Sequence, residues 1–349
     1  MPLITPGREE PSAATPASAS ERALIDRIRE RMPQPSPPLI VGIGDDGAVV
    51  KPERGALEVL TTDALVEGVH FDRRYSSLED VGYRAMAVNV SDLAAMGAAP
   101  RLALWSLFLP DWVTPDDVDR LADGAGQMAR EAGLVLAGGN LTRTPGPLVV
   151  DVTLIGSVRP RKFLTRGGGR PGDQVYVSGS VGAAAAGLSW LRARSSVHTV
   201  DPEDEGLASC VRRYRRPAPR MRLGALLGRT KAARACMDLS DGLADAARQV
   251  AEASGTGVAS DATLLPIDPA AAAWFGARGM DALDASVGAG DDYELLFVIP
   301  PKGRRRLEGV RRLLLGLPLT RIGELTRAKD MVLIRDGRAD RLPSGFSHF

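Results

Sequence analysis

Apolar residues recur at helical spacing in three stretches of the N-terminal half. Leu24, Ile25 and Ile28 predict a helix from Glu21 to Met32, ended by Pro33. Val81, Ala85, Val88 and Leu93 predict a longer one from Leu78 to Met96. A third runs from Pro115 to Ala132, with Thr114 placed as its cap and a proline first, where a helix has no use for the missing N–H. Between them, Leu57 to Leu60, Arg101 to Leu109, Leu134 to Leu136 and the alternating run Leu148 to Val158 read as strands. The second half continues with strands at Gln174–Ser178, Leu295–Ile299, Leu319–Gly323 and Met331–Arg335, an alanine-rich helix at Ala183–Leu191, and a surface loop from Arg194 to Glu205.

Strands alternating with helices predict an α/β (α+β) chain in two domains. The basic, glycine-rich stretch RPRKFLTRGGGRPGD, from Arg159 to Asp173, reads as their connection. The expected division is therefore 1–36 as tail and short helix, 37–160 as the N-terminal domain and 161–349 as the C-terminal domain. Met1 to Ser20, rich in Pro, Ala, Ser and Thr, reads as disordered.

Polar interruptions of this pattern carry the candidate chemistry. VGIGDDGAVV, Val41 to Val50, formally contains G-x-G-x-x-G, but Lys51-Pro52 follows where a dinucleotide fold needs a helix. It is either an Asp-Asp-Gly turn between two strands or a glycine-shaped loop offering carboxylates to Mg²⁺. The strand Leu57–Leu60 delivers Thr61, Thr62 and Asp63 to its end. Asn89, Ser91 and Asp92 lie where an apolar helix face gives way to Ala94, Ala95, Gly97 and Ala98, which permits close approach of a backbone or a ligand. Gly138 to Arg143 (GGNLTR) reads as a strand end suited to phosphate. At ACMDLSDGLAD, Asp238 and Ser240 share a face if the segment is extended, although Ser240 or Asp241 alone suffices to cap the helix that follows. GAGDDYE, Gly288 to Glu294, is a third glycine–acid cluster.

Asp45, Thr61, Thr62, Asp63, Asp92, Asp238 and Asp241 thus form a large set of hard oxygen ligands at predicted element ends, the donor chemistry of Mg²⁺. No Walker A motif, H-R-D, D-F-G or G-x-S-x-G elbow occurs, so metal-dominated chemistry without a protein nucleophile is expected. A net charge of +1 gives no electrostatic case for nucleic acid or an anionic membrane. The arginine runs at 212–216 and 304–306 lack interleaved aromatics and read as solvated faces. Cys210 and Cys236 give neither a disulfide framework nor a zinc set, and Cys236 reads as core. No apolar run is long enough to span a bilayer and no secretion signal is visible, so a cytoplasmic protein is the expectation.

The segments GIGDDGAVV, TTDALVEGVHF, AVNVSDLAAMGA, GGNLTR, LTRGGGRPGD, MDLSDGL, DDYELLF and the terminal GFSHF together resemble the thiamine-monophosphate kinase family, in the superfamily that includes aminoimidazole ribonucleotide synthetase. They span nearly everything from Ile40 onward, and the GVHF and GFSHF elements separate this family from its relatives. The resemblance implies ATP-dependent phosphorylation of thiamine monophosphate to thiamine diphosphate by direct transfer. It implies a Mg²⁺ shell of Asp45, Thr61, Thr62, Asp63, Asp92, Asp238 and Asp241, with Asn140 beside it. Arg166 and Ser240 are then ATP contacts, Gly139 and Asn140 lie at the phosphates, and His70, Asp291 and Phe346 hold the thiamine substrate. It also implies a homodimer in which N-terminal domains pair as a β-barrel.

Two positions depart from the family's usual residues. Asn140 stands where Asp is usual, which keeps an oxygen ligand and gives up a charge. Asp291 stands where Glu is usual, which retracts the carboxylate by about one methylene. The alternatives are a nucleotide-binding homologue impaired in catalysis, and an ATP-using relative with a different acceptor.

Overall fold

The computed structural model describes residues 20–34, 36–193, 202–343 and 345. Of the features expected from sequence, nearly all of the Met1–Ser20 tail, most of the Arg194–Glu205 loop and Phe346 lie outside these residues. Among the described residues no helix is long and apolar enough to cross a membrane.

The N-terminal half is a four-stranded sheet with helices on one face. Strands β3 (Leu57–Val66), β6 (Val149–Val158), β4 (Ala99–Leu109) and β5 (Val135–Arg143) lie in that order, following α1 (Glu21–Arg31) and the short antiparallel pair β1 (Leu39–Val41) and β2 (Val49–Val50). Helices α2 (Leu78–Ala95) and α3 (Pro115–Ala132) cover one face. Ala103, Trp105, Leu107 and Leu109 of β4 are buried beneath them, while Leu104 and Phe108 on the opposite face are 40% and 37% exposed. Thr114 forms the expected cap with Asp117, as a full capping box. Helices α2 and α3 touch backbone to backbone: a Cβ on Gly82 would fall 2.0 Å from Leu121 O, and one on Gly124 1.8 Å from Glu79 O.

Two strands differ from expectation. β3 continues to Val66, so Thr61 to Asp63 sit in mid-strand, paired with Leu154, Thr153 and Val152 of β6, instead of at a strand end. β5 likewise runs on through Gly138 to Arg143, past the strand end expected there, because β4 supplies a parallel partner along its whole length. A partner strand overrides the weak strand propensity of glycine and asparagine.

The C-terminal half is a seven-stranded mixed sheet. Its strands are β7 (Gln174–Ser178), β8 (Ala235–Asp238), β9 (Gly257–Asp261), β10 (Leu295–Ile299), β11 (Leu319–Thr326), β12 (Met331–Arg335) and β13 (Arg338–Arg341), in the spatial order β13-β12-β9-β11-β7-β10-β8. Helix α7 (Leu243–Ser254) packs on one face, while α6 (Met221–Thr230) and α10 (Arg304–Leu313) cover the other. Burial on both faces explains why Leu295 to Ile299 shows no alternation. Cys236 is core, as expected, and burial pushes its thiol pKa up. Helices α4 (Ala183–Arg192), α5 (Glu205–Arg215) and α8 (Pro269–Gly276) form a satellite cluster with α9 (Ala282–Val287) beside it.

The halves are joined tightly. The small residues at the end of α2 admit another backbone: a Cβ on Gly224 of α6 would lie 1.8 Å from Ala94 O. The first arginine run is not a solvated face. Arg215 donates from Nε to Tyr75 O (2.8 Å), and Arg216 reaches Asp80 (2.6 Å) and Gln127 (2.8 Å), all in the N-terminal half. Arg213 is tied to the buried Glu294. Only Arg212 of the run is exposed. Nothing in the local sequence distinguished these arginines, because their partners lie 79 to 140 residues away.

Candidate functional site

A cleft of about 1150 Å³ opens between the two halves. Helix α2 supplies one wall. Arg84, Val88 and Asp92 are spaced by four and therefore share a face, and all three line the cleft. Asp63 joins them from β3 and His70 from the following turn, while Arg166, Asp238, Ser240, Asp241 and Asp291 face them from the C-terminal half.

The acids are held by short-range contacts. The Thr61 hydroxyl donates to Asp92, and Ser91 Oγ donates to Asp238 Oδ2 at 2.7 Å. Asp238 ends β8, and α7 then begins at Leu243 with Gly242 at its N-cap and no side-chain cap. Neither Ser240 nor Asp241 caps that helix, so the capping alternative is set aside. His70 Nδ1 accepts the backbone N–H of Val66 at 3.0 Å, which fixes the ring. Arg166 donates to Gln249 at 2.6 Å.

The third acidic cluster docks onto the second. Asp291 N donates to Ser240 O (2.8 Å) and Tyr293 N to Leu239 O (3.1 Å). A Cβ on Gly290 would sit 2.1 Å from Ser240 O, so glycine is required there. Asp291 and Tyr293 adopt φ of 72° and 49°, an unfavourable conformation for these residues that the surrounding contacts impose. The three acids of this loop have separate partners. Asp291 meets Arg84 at 2.8 Å in the cleft. Asp292 is buried and accepts the N–H groups of Gly182 (2.7 Å) and Ala184 (3.2 Å) at the start of α4. Glu294 is buried against Arg213, Arg220 and the Ser178 hydroxyl.

Three carboxyls of the cleft are held toward their protonated forms. Asp63 is pushed up to about 7, first by desolvation and then by Asp92, Asp241 and Asp151. Asp238 is also pushed up to about 7, by burial and by Asp92. Asp92 is raised by burial, against the opposing pull of the Thr61 hydrogen bond and Arg166. Among the described residues no three His, Cys, Asp or Glu side chains are grouped so as to hold a metal ion by themselves.

Other expected site residues stand apart from this cleft. Thr62 points to the far face of the sheet, where its hydroxyl meets Thr153 Oγ1 (3.0 Å) and Val152 O (3.2 Å). Asn140 is exposed and in register with Ser106 on that same face. Gly139 is packed against β4, its would-be Cβ 2.0 Å from Trp105 O. Asp45 lies exposed between β1 and β2, its carboxylate accepting the N–H of Asp46. The opening motif is thus a loop between two strands with no helix behind it.

Sequence reasoning missed Arg84, Tyr214 and Tyr293, which line the cleft, and Asp151 on β6. Arg84 is buried, and its guanidinium lies 4.5 Å from the Tyr214 ring centroid. The available signal was its spacing from Val88 and Asp92 along α2.

The AIR synthase related protein N-terminal domain matches residues 44–158, and the AIR synthase related protein C-terminal domain matches residues 170–336. A thiamine-monophosphate kinase of Bacillus subtilis (strain 168) is 33% identical over 88% of this chain and 93% of its own. The crystal structure of thiamine-monophosphate kinase from Stenotrophomonas maltophilia K279a is 36% identical with a TM-score of 0.81, covering 92% of this chain and 98% of that one. A structure of AaThiL complexed with AMPPCP and TMP is 31% identical with a TM-score of 0.74, covering 94% and 97%.

Proposed function

We infer that this chain, which belongs to the thiamine-monophosphate kinase family of AIR synthase related proteins, uses ATP to phosphorylate thiamine monophosphate to thiamine diphosphate. The observation that carries the reading is a cleft in which Asp63, Asp92, Asp238 and Asp241 face one another, on a chain alignable with such kinases along most of its length. The AaThiL complex supports the same substrate pair.

We propose that the acids act through Mg²⁺. The donors are hard oxygens, and their mutual repulsion leaves a site that a divalent cation would relieve. Mg²⁺ commonly takes one or two carboxylates and completes its shell with water and substrate phosphate. Bound there, Mg²⁺ would neutralise the phosphates of donor and acceptor. Thr61 orients Asp92, and Ser91 orients Asp238. Arg166 and Ser240 line the same cleft and would serve as ATP contacts, with His70 and Asp291 as contacts of the thiamine substrate. The roles of Asp45, Thr62, Gly139, Asn140 and Phe346 rest on the motifs alone.

The acceptor is itself a phosphate. Its second pKa of about 6 leaves it largely ionised at neutral pH, so attack needs no general base. The chain's work is to position two anions in line and offset their repulsion.

We also propose a homodimer. Leu60 (66% exposed), Leu104 and Phe108 lie on the sheet face away from α2 and α3, and Ile40 of β1 is 67% exposed. Pairing two such faces would close the β-barrel implied by the family resemblance and cover that apolar surface. A cytoplasmic location, where both small charged substrates would be met, is part of the proposal.

Purified protein incubated with thiamine monophosphate, ATP and Mg²⁺ should yield thiamine diphosphate by chromatography only when all three are present. ATP binding without product would sink the kinase reading and favour a binding homologue or another acceptor.

A further inference from the structure

A second cavity, of about 510 Å³, lies between the 161–165 strip, the end of α6 and the start of α10. Five cations line it (Arg161, Lys231, Arg234, Lys302 and Arg306), and no acid does. Two have ordinary structural partners: Arg234 is paired with Asp173 at 2.8 Å, and Arg306 donates to Lys231 O at 3.0 Å. Arg161, Lys231 and Lys302 have no carboxylate partner among the described residues. Arg161 and Lys231 adopt φ of 61° and 53°, uncommon for side chains without a local hydrogen-bonding group, so the backbone itself shapes this wall. The first turn of α10 holds three arginines and no acid, an arrangement opposed by the helix dipole, which favours an anion at that end. Phe163 stands on the lining, 45% exposed.

We propose that this cavity is a metal-independent binding site for a small polyphosphate anion, separate from the acidic cleft. Its volume lies in the range of small-molecule sites, and like charges gathered in a concavity are relieved by a multivalent counter-ion. Ammonium and guanidinium groups are suited to phosphate oxygens. The same strip is hydrogen-bonded to both acid-bearing elements, Leu164 N to Met96 O (3.0 Å) and Cys236 N to Thr165 O (2.9 Å), one residue before Arg166. The inference does not depend on the kinase reading, since it concerns other residues and opposite charge.

The test exploits that difference. In EDTA the carboxylates of the cleft repel a polyanion, whereas the basic cavity needs no metal. Calorimetric titration of the full chain with inorganic tripolyphosphate in EDTA should show saturable binding. Removing two exposed cations in the double variant Arg161→Asn, Lys302→Gln should weaken it at least tenfold; asparagine tolerates the left-handed backbone at 161. Asp63→Asn should leave it unchanged. A control that removes the same charge elsewhere, Arg327→Gln with Lys329→Gln, should change it less than twofold. Absence of saturable binding, tighter binding in Asp63→Asn, or equal weakening in the control would each overturn the proposal. ADP binding more tightly than tripolyphosphate, with the preference lost in Phe163→Ala, would identify a nucleotide as the occupant; equal binding would identify a bare polyphosphate.

Discussion

Ser91 donates its hydroxyl hydrogen to Asp238 Oδ2 at 2.7 Å, and both side chains are shut off from solvent. The bond joins the VSDLAAMG segment of α2 to the last residue of β8, just before LSDG, so two short stretches alike in sequence meet at the floor of the cleft. Ser91→Ala would leave a buried carboxylate short of one donor. The expected loss is about 1–3 kcal/mol, the usual range for an orphaned buried acceptor. Urea denaturation in EDTA reads it directly, and an unchanged midpoint would show that the bond ties nothing.

Asp63 is the carboxylate that β3 delivers into the cleft, where Asp92 and Asp241 act on it. Asp63→Ala should abolish thiamine diphosphate formation, because the proposed metal site loses a charged ligand. The folded state should persist, since Asp63 is exposed to the cleft and takes no part in the core. Near-normal turnover at saturating Mg²⁺ would remove Asp63 from the metal set.

Local pattern was a good guide where local forces decide. Pro115–Ala132 was legible because its cap, its first proline and its apolar spacing all lie within the helix. The clustering of Asp63, Asp92, Asp238 and Asp241 was inferred from separate motifs, and the fold brings them to one cleft. What stayed hidden was decided by distant partners. Thr62 and Asn140 were grouped with the cleft acids, yet strand alternation and β4 pairing set them on the other face. Arg213 and Arg215 read as surface because Glu294 and Tyr75 are far away in sequence.

Glu294 is fully buried, with both oxygens engaged by Arg213, Arg220 and Ser178. Glu294→Ala would strand two guanidinium groups that sit only partly in solvent. Breaking such a pair from one side costs about 3–5 kcal/mol. The variant should unfold at markedly lower urea or accumulate as insoluble protein. A midpoint within error of the parent would show that the arginines find water instead.

The metal-free protein should lose stability as pH rises. Burial and Asp92 hold Asp238 at about 7 in the fold, above its ordinary 3.8. Between those values the folded chain binds a proton that the unfolded chain releases, so this contribution is complete below about pH 4 and is lost as pH rises through about 7. Denaturation midpoints in EDTA should fall across that window, and Asp238→Asn should flatten the slope. Mg²⁺ added at pH 8 should raise the parent's midpoint by binding the folded state. A parent profile that is flat or rising in EDTA, or an equally steep Asp238→Asn profile, would contradict this account.

The far face of the N-terminal sheet gives the last prediction. Leu60 on β3 and Leu104 and Phe108 on β4 share the face that α2 and α3 leave uncovered. Isolated apolar residues on a surface are ordinary, but rows on one sheet face next to an exposed Ile40 favour burial against a like surface. In a two-fold pair each substitution counts twice, since the same patch serves both copies. The double variant Leu60→Asp, Leu104→Asp should therefore sediment as a monomer at concentrations where the parent is a dimer, with each chain retaining its far-ultraviolet circular dichroism. A parent that sediments as a monomer at micromolar concentration would sink the pairing. So would a double variant that remains dimeric, because four carboxylates cannot be buried in one apolar interface without strong compensation.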